Sequence, residues 1–451
     1  MRVVPDAVET DAGPPLSIPL AHFLAALPAL VGGTLLVVAH VAGRLPVDGR
    51  AVVAHLLLVG FVCVTIAGAL TQFVPVWSGV ALHSRRLARW QGRLLVVGLL
   101  LLAGGLWTVA PIPITVGGVL LLCGFWLLCY NVGRTLWTAA PWDRTERHFL
   151  AALGFLVLAS VLGVLLAVGY ATPVWGRAGL GRLGLDRLAV RSAHLTLAVF
   201  GVVIVTIVGA LSQLVAMFTQ TDADGHDRRL QWVASVAFPV GVVLLAAGRL
   251  ASAPNGETVG RLGGVVLCLG LAAALVAVGR RLLASVVPFG ATLRRYVVVV
   301  VAGLGWVALA LPTWLAAPTA PTTLLGPPVA VPLLVGGVIG HVVVGTLYHV
   351  VPFLVWVEVY SDRLGYEPVP SVDDLYDGRV AVVDLCCSAA GVTTLVAAGS
   401  LGWPTPVVLA GLCLLATSAV LASANLIGVV VRHDPAPLRR LLPRWVTAFR
   451  S

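Results

Sequence analysis

Twelve apolar runs, each about the length of a bilayer-crossing helix, succeed one another along the 451-residue chain. A segment in hydrocarbon has no water to satisfy its backbone, so runs of this length must be helical. The chain is 59% hydrophobic and 11% charged, whereas a soluble domain carries roughly 25% charge. The reading is an all-α polytopic membrane protein, its helices expected near 17–42, 51–76, 90–110, 113–137, 148–171, 190–217, 231–251, 260–284, 295–317, 329–356, 380–402 and 405–430. Pro111 with Pro113, and Gly402 with Pro404, break the two longest runs.

The first residues are polar, acidic and Pro-containing. They form no basic region ahead of a short apolar one, so no cleaved signal is expected. All basic residues are Arg, and formal net charge is +10. In a soluble chain that balance would suggest nucleic acid. Here the arginines cluster beside the apolar runs, and no nucleic-acid partner is expected. Arg85, Arg86, Arg89 and Arg93 follow the second run; Arg144 and Arg147 the fourth; Arg228 and Arg229 the sixth; Arg280, Arg281, Arg294 and Arg295 the eighth; Arg432, Arg439, Arg440, Arg444 and Arg450 the last. All follow even-numbered runs, which puts both termini in the cytoplasm of a cell-membrane protein. The exception is Arg177, Arg182 and Arg187, after the fifth run. The expected organisation is a cytoplasmic segment 1–16, one membrane domain 17–431 and a basic cytoplasmic tail 432–451.

One phrase occurs three times. GALTQFVP (68–75) recurs as GALSQLVA (209–216) and as GTLYHVVP (345–352). The starting glycines Gly68, Gly209 and Gly345 are 141 and 136 residues apart, four apolar runs each time. LHSRRLARWQ (82–91) is echoed by GHDRRLQWV (225–233) and faintly by YSDRL (360–364). The chain therefore reads as three four-helix units, about 17–140, 141–285 and 286–431, in a pseudo-threefold arrangement. Small residues let the helices approach closely. Gln72, Gln213 and His349 share one repeat position and must face protein or water.

Histidines accompany the phrase. His55 and His194 precede their glycines by 13 and 15 residues, a depth difference of roughly 3 Å. His341 lies roughly 14 Å deeper than His55, and His349 deeper again. Neutral imidazole is a ligand for haem iron and for copper; the bland alternative is a hydrogen-bonded packing histidine. His55, His194, His341 and His349 are the candidate cofactor-binding residues, and the first three the candidate metal ligands. His22, His40 and His148 are read as interfacial, and His83, His226 and His433 as solvated. The seven cysteines have no metal-site spacing and read as small buried hydrophobes. Trp77, Trp90, Trp107, Trp142 and Trp356 are expected as interfacial anchors. The acidic stretch 357–379 reads as a solvated connector or a partner-docking loop.

These residues resemble subunit I of the haem–copper oxidases and its relatives, the nitric oxide reductases and NnrS-type membrane haem proteins. That subunit has twelve helices in a pseudo-threefold ring with both termini inside. Ala54-His55, Gly68, Val74-Pro75 and Gly79 match its second helix, and Gly345…His349-Val-Val-Pro352 its tenth. The resemblance implies that His55 is an axial ligand of a low-spin haem. His194 sits on the helix that carries one copper ligand in the oxidases. The seventh run has no histidine, and no His-x-His pair lies around Val329–Pro332, so no complete copper site is expected.

Three functions stand open. One is a haem protein for electron transfer or for chemistry or sensing of a diatomic gas (O2 or NO), an oxidoreductase if it is an enzyme, with an electron-donor protein or partner subunits. Another is a pseudosymmetric transporter with Gln72, Gln213 and His349 along a polar path, weakened by the near absence of carboxylates inside the runs. The third is a cofactor-free structural subunit of a membrane complex.

Overall fold

The structure is a computed structural model that describes residues 14–45, 49–176, 179–183, 185–251 and 255–433. Among these residues there are helices and two isolated bridges, and no strand. Twelve helices are long and apolar enough to cross a membrane: α1 Ser17–Val41, α2 Arg50–Ser78, α3 Arg85–Thr108, α4 Pro111–Thr138, α5 Arg144–Val168, α6 Arg187–Thr219, α7 Gly225–Leu250, α8 Asn255–Leu283, α9 Ala291–Ala316, α10 Pro328–Arg363, α11 Gly378–Leu401 and α12 Thr405–His433. The chain has the build of a multi-pass membrane protein in a lipid bilayer. Arg177, the segment 1–13 and the tail from 434 lie outside the described residues.

Several helices begin ahead of their apolar runs, because a polar cap starts them. Ser84, Asp143, Asp186, Asp224 and Asp377 each accept a backbone N–H of the first turn, which satisfies a donor the helix itself leaves free. At Asp143 the bond is reciprocal: its side chain accepts from Glu146 N while Glu146 accepts from Asp143 N at 2.9 Å. Arg85, Arg86, Arg89, Arg93, Arg144, Arg147, Arg228 and Arg229 therefore lie on helices, not in the loops where the sequence placed them. Arg294 and Arg295 sit in the first turns of α9, and Arg295 is buried to 1% exposure. The connection 357–379 is exposed along 361–368 and anchored on either side of that stretch. α10 runs on to Arg363, Trp356 Nε1 donates to Pro370 O at 2.6 Å, and Leu375 is buried.

Glycine decides the packing, and it does so in the same register in each third of the chain. A Cβ on Gly68 would lie 2.7 Å from His22 Cβ, on Gly209 2.6 Å from His148 Cβ, and on Gly345 3.1 Å from Arg295 Cβ. Eight residues earlier on each helix, Gly60, Gly201 and Gly337 press on Ala29, Phe155 and Ala302. Those partners lie seven residues after His22, His148 and Arg295. Two glycines per helix thus seat α2 on α1, α6 on α5 and α10 on α9. Such close approach is what gives contact energy to helices whose surroundings are as apolar as they are. The pairs α3–α4, α7–α8 and α11–α12 also meet backbone to backbone; Gly248 would put a Cβ 2.5 Å from Gly260 N, and Gly391 one 2.8 Å from Gly411 O. α4 packs on α5, α8 on α9, and α12 returns to α1, which closes the bundle into a ring.

The three phrase-bearing helices share one more irregularity. They widen from α to π geometry over His55–Cys63, Leu197–Ile204 and Leu333–Gly340. Each wide stretch ends five residues before its glycine. π segments recur at functional sites. Below them, α2, α6 and α10 converge on a narrow central cavity lined by Thr65, Thr206, Ala69, Ala210, Val342 and Thr346.

Candidate functional site

The histidines expected as one set separate into two places. His55, at the first residue of the wide stretch of α2, and His194, three residues before that of α6, line one cleft. Its walls also take Leu102 and Leu106 of α3, Leu121, Leu122 and Phe125 of α4, and Leu156, Ala159 and Gly163 of α5. The cleft has a volume of about 220 Å³ and is partly open to the outside. Tyr170, Arg187 and Arg191 stand at the mouth, with the Arg187 guanidinium 4.3 Å from the centre of the Tyr170 ring.

Both imidazoles are oriented by the backbone. His55 Nδ1 donates to Ala51 O at 2.7 Å, and His194 Nδ1 to Ala159 O at 2.8 Å. Donation from Nδ1 fixes the tautomer that leaves Nε2 with a free lone pair, the arrangement found in metal-bound histidine. Gly163 makes room for the second ring: a Cβ there would come 3.0 Å from His194 Cε1. The cleft thus presents two neutral nitrogen donors within largely apolar walls, with Arg187 and Arg191 also lining it.

His341 and His349 lie elsewhere. His341 Nδ1 donates to Gly336 O at 2.9 Å, and its Nε2 is 3.3 Å from Ser388 Oγ of α11. His349 lies against Phe218, with ring centres 4.4 Å apart, and stacks on Phe353. Gln72 is buried with no protein partner for Oε1, while Gln213 Nε2 donates to Asp143 Oδ2 at 3.2 Å. Among the described residues no three His, Cys, Asp or Glu gather as a metal cluster; a group held by two axial nitrogens needs none.

The sequence reading missed a second polar system. His22 and His148 lie near helix starts but are not solvated: both are 5% exposed, with Nδ1 donating to Ile18 O and Arg144 O at 2.8 Å. Their counterpart against the third glycine is Arg295, which pairs with Asp384 of α11. Tyr348 O–H donates to Asp384 Oδ2 at 2.9 Å, and Ser418 O–H to Oδ1. A fully buried carboxylate thus lies within the eleventh span. The signal that could have found it is cap spacing. Gln91, Gln231 and Asp384 each stand seven residues after a helix N-cap: Ser84, Asp224 and Asp377. Trp77 and Trp356 are half-buried, Trp77 stacking on Phe73 and Phe149 and Trp356 Nε1 donating to Pro370 O.

No family model matches the chain and no curated protein is similar to it, so the cleft between α2 and α6 has to be interpreted on its own geometry.

Proposed function

We propose that the chain is a haem-carrying electron-transfer protein of the cell membrane, built of three pseudosymmetric four-helix units, with His55 and His194 as axial ligands. The observation that carries this reading is the pair of backbone-anchored imidazoles facing one apolar cleft with Nε2 free. Arg187 and Arg191 at its mouth suit the propionates. Haem supplies reversible one-electron exchange at iron. The protein's residues hold it, and the apolar walls exclude water, which sets the potential. Two histidine ligands leave no coordination position open, so electron transfer is favoured over gas chemistry. The repeated glycine register, the three matching π stretches and the closed ring support the pseudosymmetry. Arginine placement supports cytoplasmic termini, and an electron-donor protein or subunit completes the system.

The test is a haemin titration of purified protein in detergent, followed in the Soret band. Wild type should saturate at one haem per chain with a low-spin spectrum. His55→Ala and His194→Ala should each weaken binding at least tenfold, while His341→Ala should bind like wild type. Equal binding by all four proteins would remove the site.

A transporter reading gains a carboxylate in Asp384. That carboxylate is locked by Arg295, Tyr348 and Ser418, which suits a fixed structural centre better than a carrier's moving one.

A further inference from the structure

Each third of the chain sets a polar residue of its first helix near the residue seven positions after a cap on its third: His22 lies against Gly92, next in sequence to Gln91, His148 and Gln231 line one cavity, and Arg295 pairs with Asp384. In the last the centre is closed, because Asp384 gives Arg295 its counter-charge. In the middle third it is open. His148 and Gln231 line a narrow cavity between α5, α6, α7 and α8, together with Ser212, Ser235 and Arg281. Arg281 is 5% exposed, and neither its Nε nor its Nη1 has a partner; His148 Nε2 has none either. The neighbouring Arg280 takes both nearby carboxylates, Asp224 and Asp227, at 2.7 and 2.8 Å. No acidic side chain lines the cavity.

A buried guanidinium without a counter-charge is strongly disfavoured, and its unpartnered Nε–H and Nη1–H are donors that an anion's oxygens would satisfy. We propose that this cavity is an anion site, and that Arg281 holds a carboxylate-sized anion where the last third of the chain supplies Asp384 from its own sequence. His148 Nε2, Ser212, Ser235 and Arg144, whose Nη1 donates to Gln231 Oε1 at 3.4 Å, complete the polar lining, and the remaining walls are apolar. The anion's source is either a free small anion or the carboxylate head of an amphiphile. The site is separate from the haem cleft and does not depend on it.

The experiment is thermal unfolding of the full-length protein in neutral detergent at constant ionic strength, with a bulky sulfonate replaced stepwise by acetate, and separately with added oleate. Wild type should gain a few degrees in Tm, with saturation, because a ligand of the folded state stabilises by mass action. Response to acetate identifies a free anion; response to oleate alone identifies the amphiphile head. Arg281→Met removes the buried charge while keeping apolar bulk, so it should fold and show no response. Gln231→Glu places a carboxylate at the position of Asp384, and it should match anion-saturated wild type without added anion. No response in wild type, or an undiminished response in Arg281→Met, overturns the proposal.

Discussion

At the scale of single residues one costly feature is the Arg295–Asp384 pair, buried to 1% and 0% exposure on its two sides. Two ions taken out of water recover their hydration only if the pair stays intact and the remaining lone pairs are filled. Tyr348 and Ser418 fill them. Asp384→Asn should therefore destabilise the protein by about 3–5 kcal/mol, since it leaves Arg295 uncompensated. The double substitution Arg295→Met with Asp384→Leu should recover most of that loss. Thermal unfolding of the three variants in detergent checks both expectations, and a double variant as unstable as the single one contradicts them. The pair was illegible in the sequence for a physical reason. Its members lie 89 positions apart, and the pairing arises only when α9 and α11 pack. Arg295 in particular sits among loop-like neighbours, so its burial could not be seen from charge pattern.

At the scale of helices, glycine register carries the fold. A Cβ on Gly337 would sit 2.5 Å from Ala302 Cβ, whereas one on Gly133 would meet nothing within 4 Å. Gly337→Leu should cost at least about 1–3 kcal/mol through overpacking and lower the yield of monodisperse protein in size-exclusion chromatography. Gly133→Leu on α4 should leave that yield unchanged. The caps add a pH dependence outside the spanning segments. Backbone N–H groups of Val380 and Arg379 hold the Asp377 carboxyl below its usual range, and the N–H of Asp227, then Arg280, does the same for Asp224. A carboxyl lowered in the folded state contributes stability above its unfolded value, near 3.9, and loses it as pH falls through the folded value. The thermal midpoint should accordingly drop below about pH 4, and less steeply in Asp377→Asn with Asp224→Asn. The twelve helices were legible because length and hydropathy alone impose them. Their starts were not, because capped, arginine-bearing first turns look like loops on a hydropathy scale. The π stretches left no mark in composition, although Gly60, Gly201 and Gly337, eight residues before the phrase in all three cases, were readable.

At the scale of the whole molecule, one ring of helices holds polar centres toward its arginine-rich ends and a separate apolar cleft, with two histidines, toward the other end. The similar depth of His55 and His194 was expected from their spacing to the phrase, and the two line one cleft. His341 shares the helix type but not the depth, and it joins Ser388 instead. What the sequence could not show was the orientation of the rings, because the carbonyl that anchors His194 belongs to Ala159 of a neighbouring helix, 35 residues earlier. The central claim is that this cleft carries one haem between His55 and His194. The most direct test is a reduced-minus-oxidised optical spectrum of the protein purified from haem-replete cells, with iron and copper assayed on the same sample. The account predicts a low-spin haem spectrum, one iron per chain and no copper, with the spectrum lost in His55→Ala and in His194→Ala. A folded, monodisperse protein that is colourless and free of iron would contradict it.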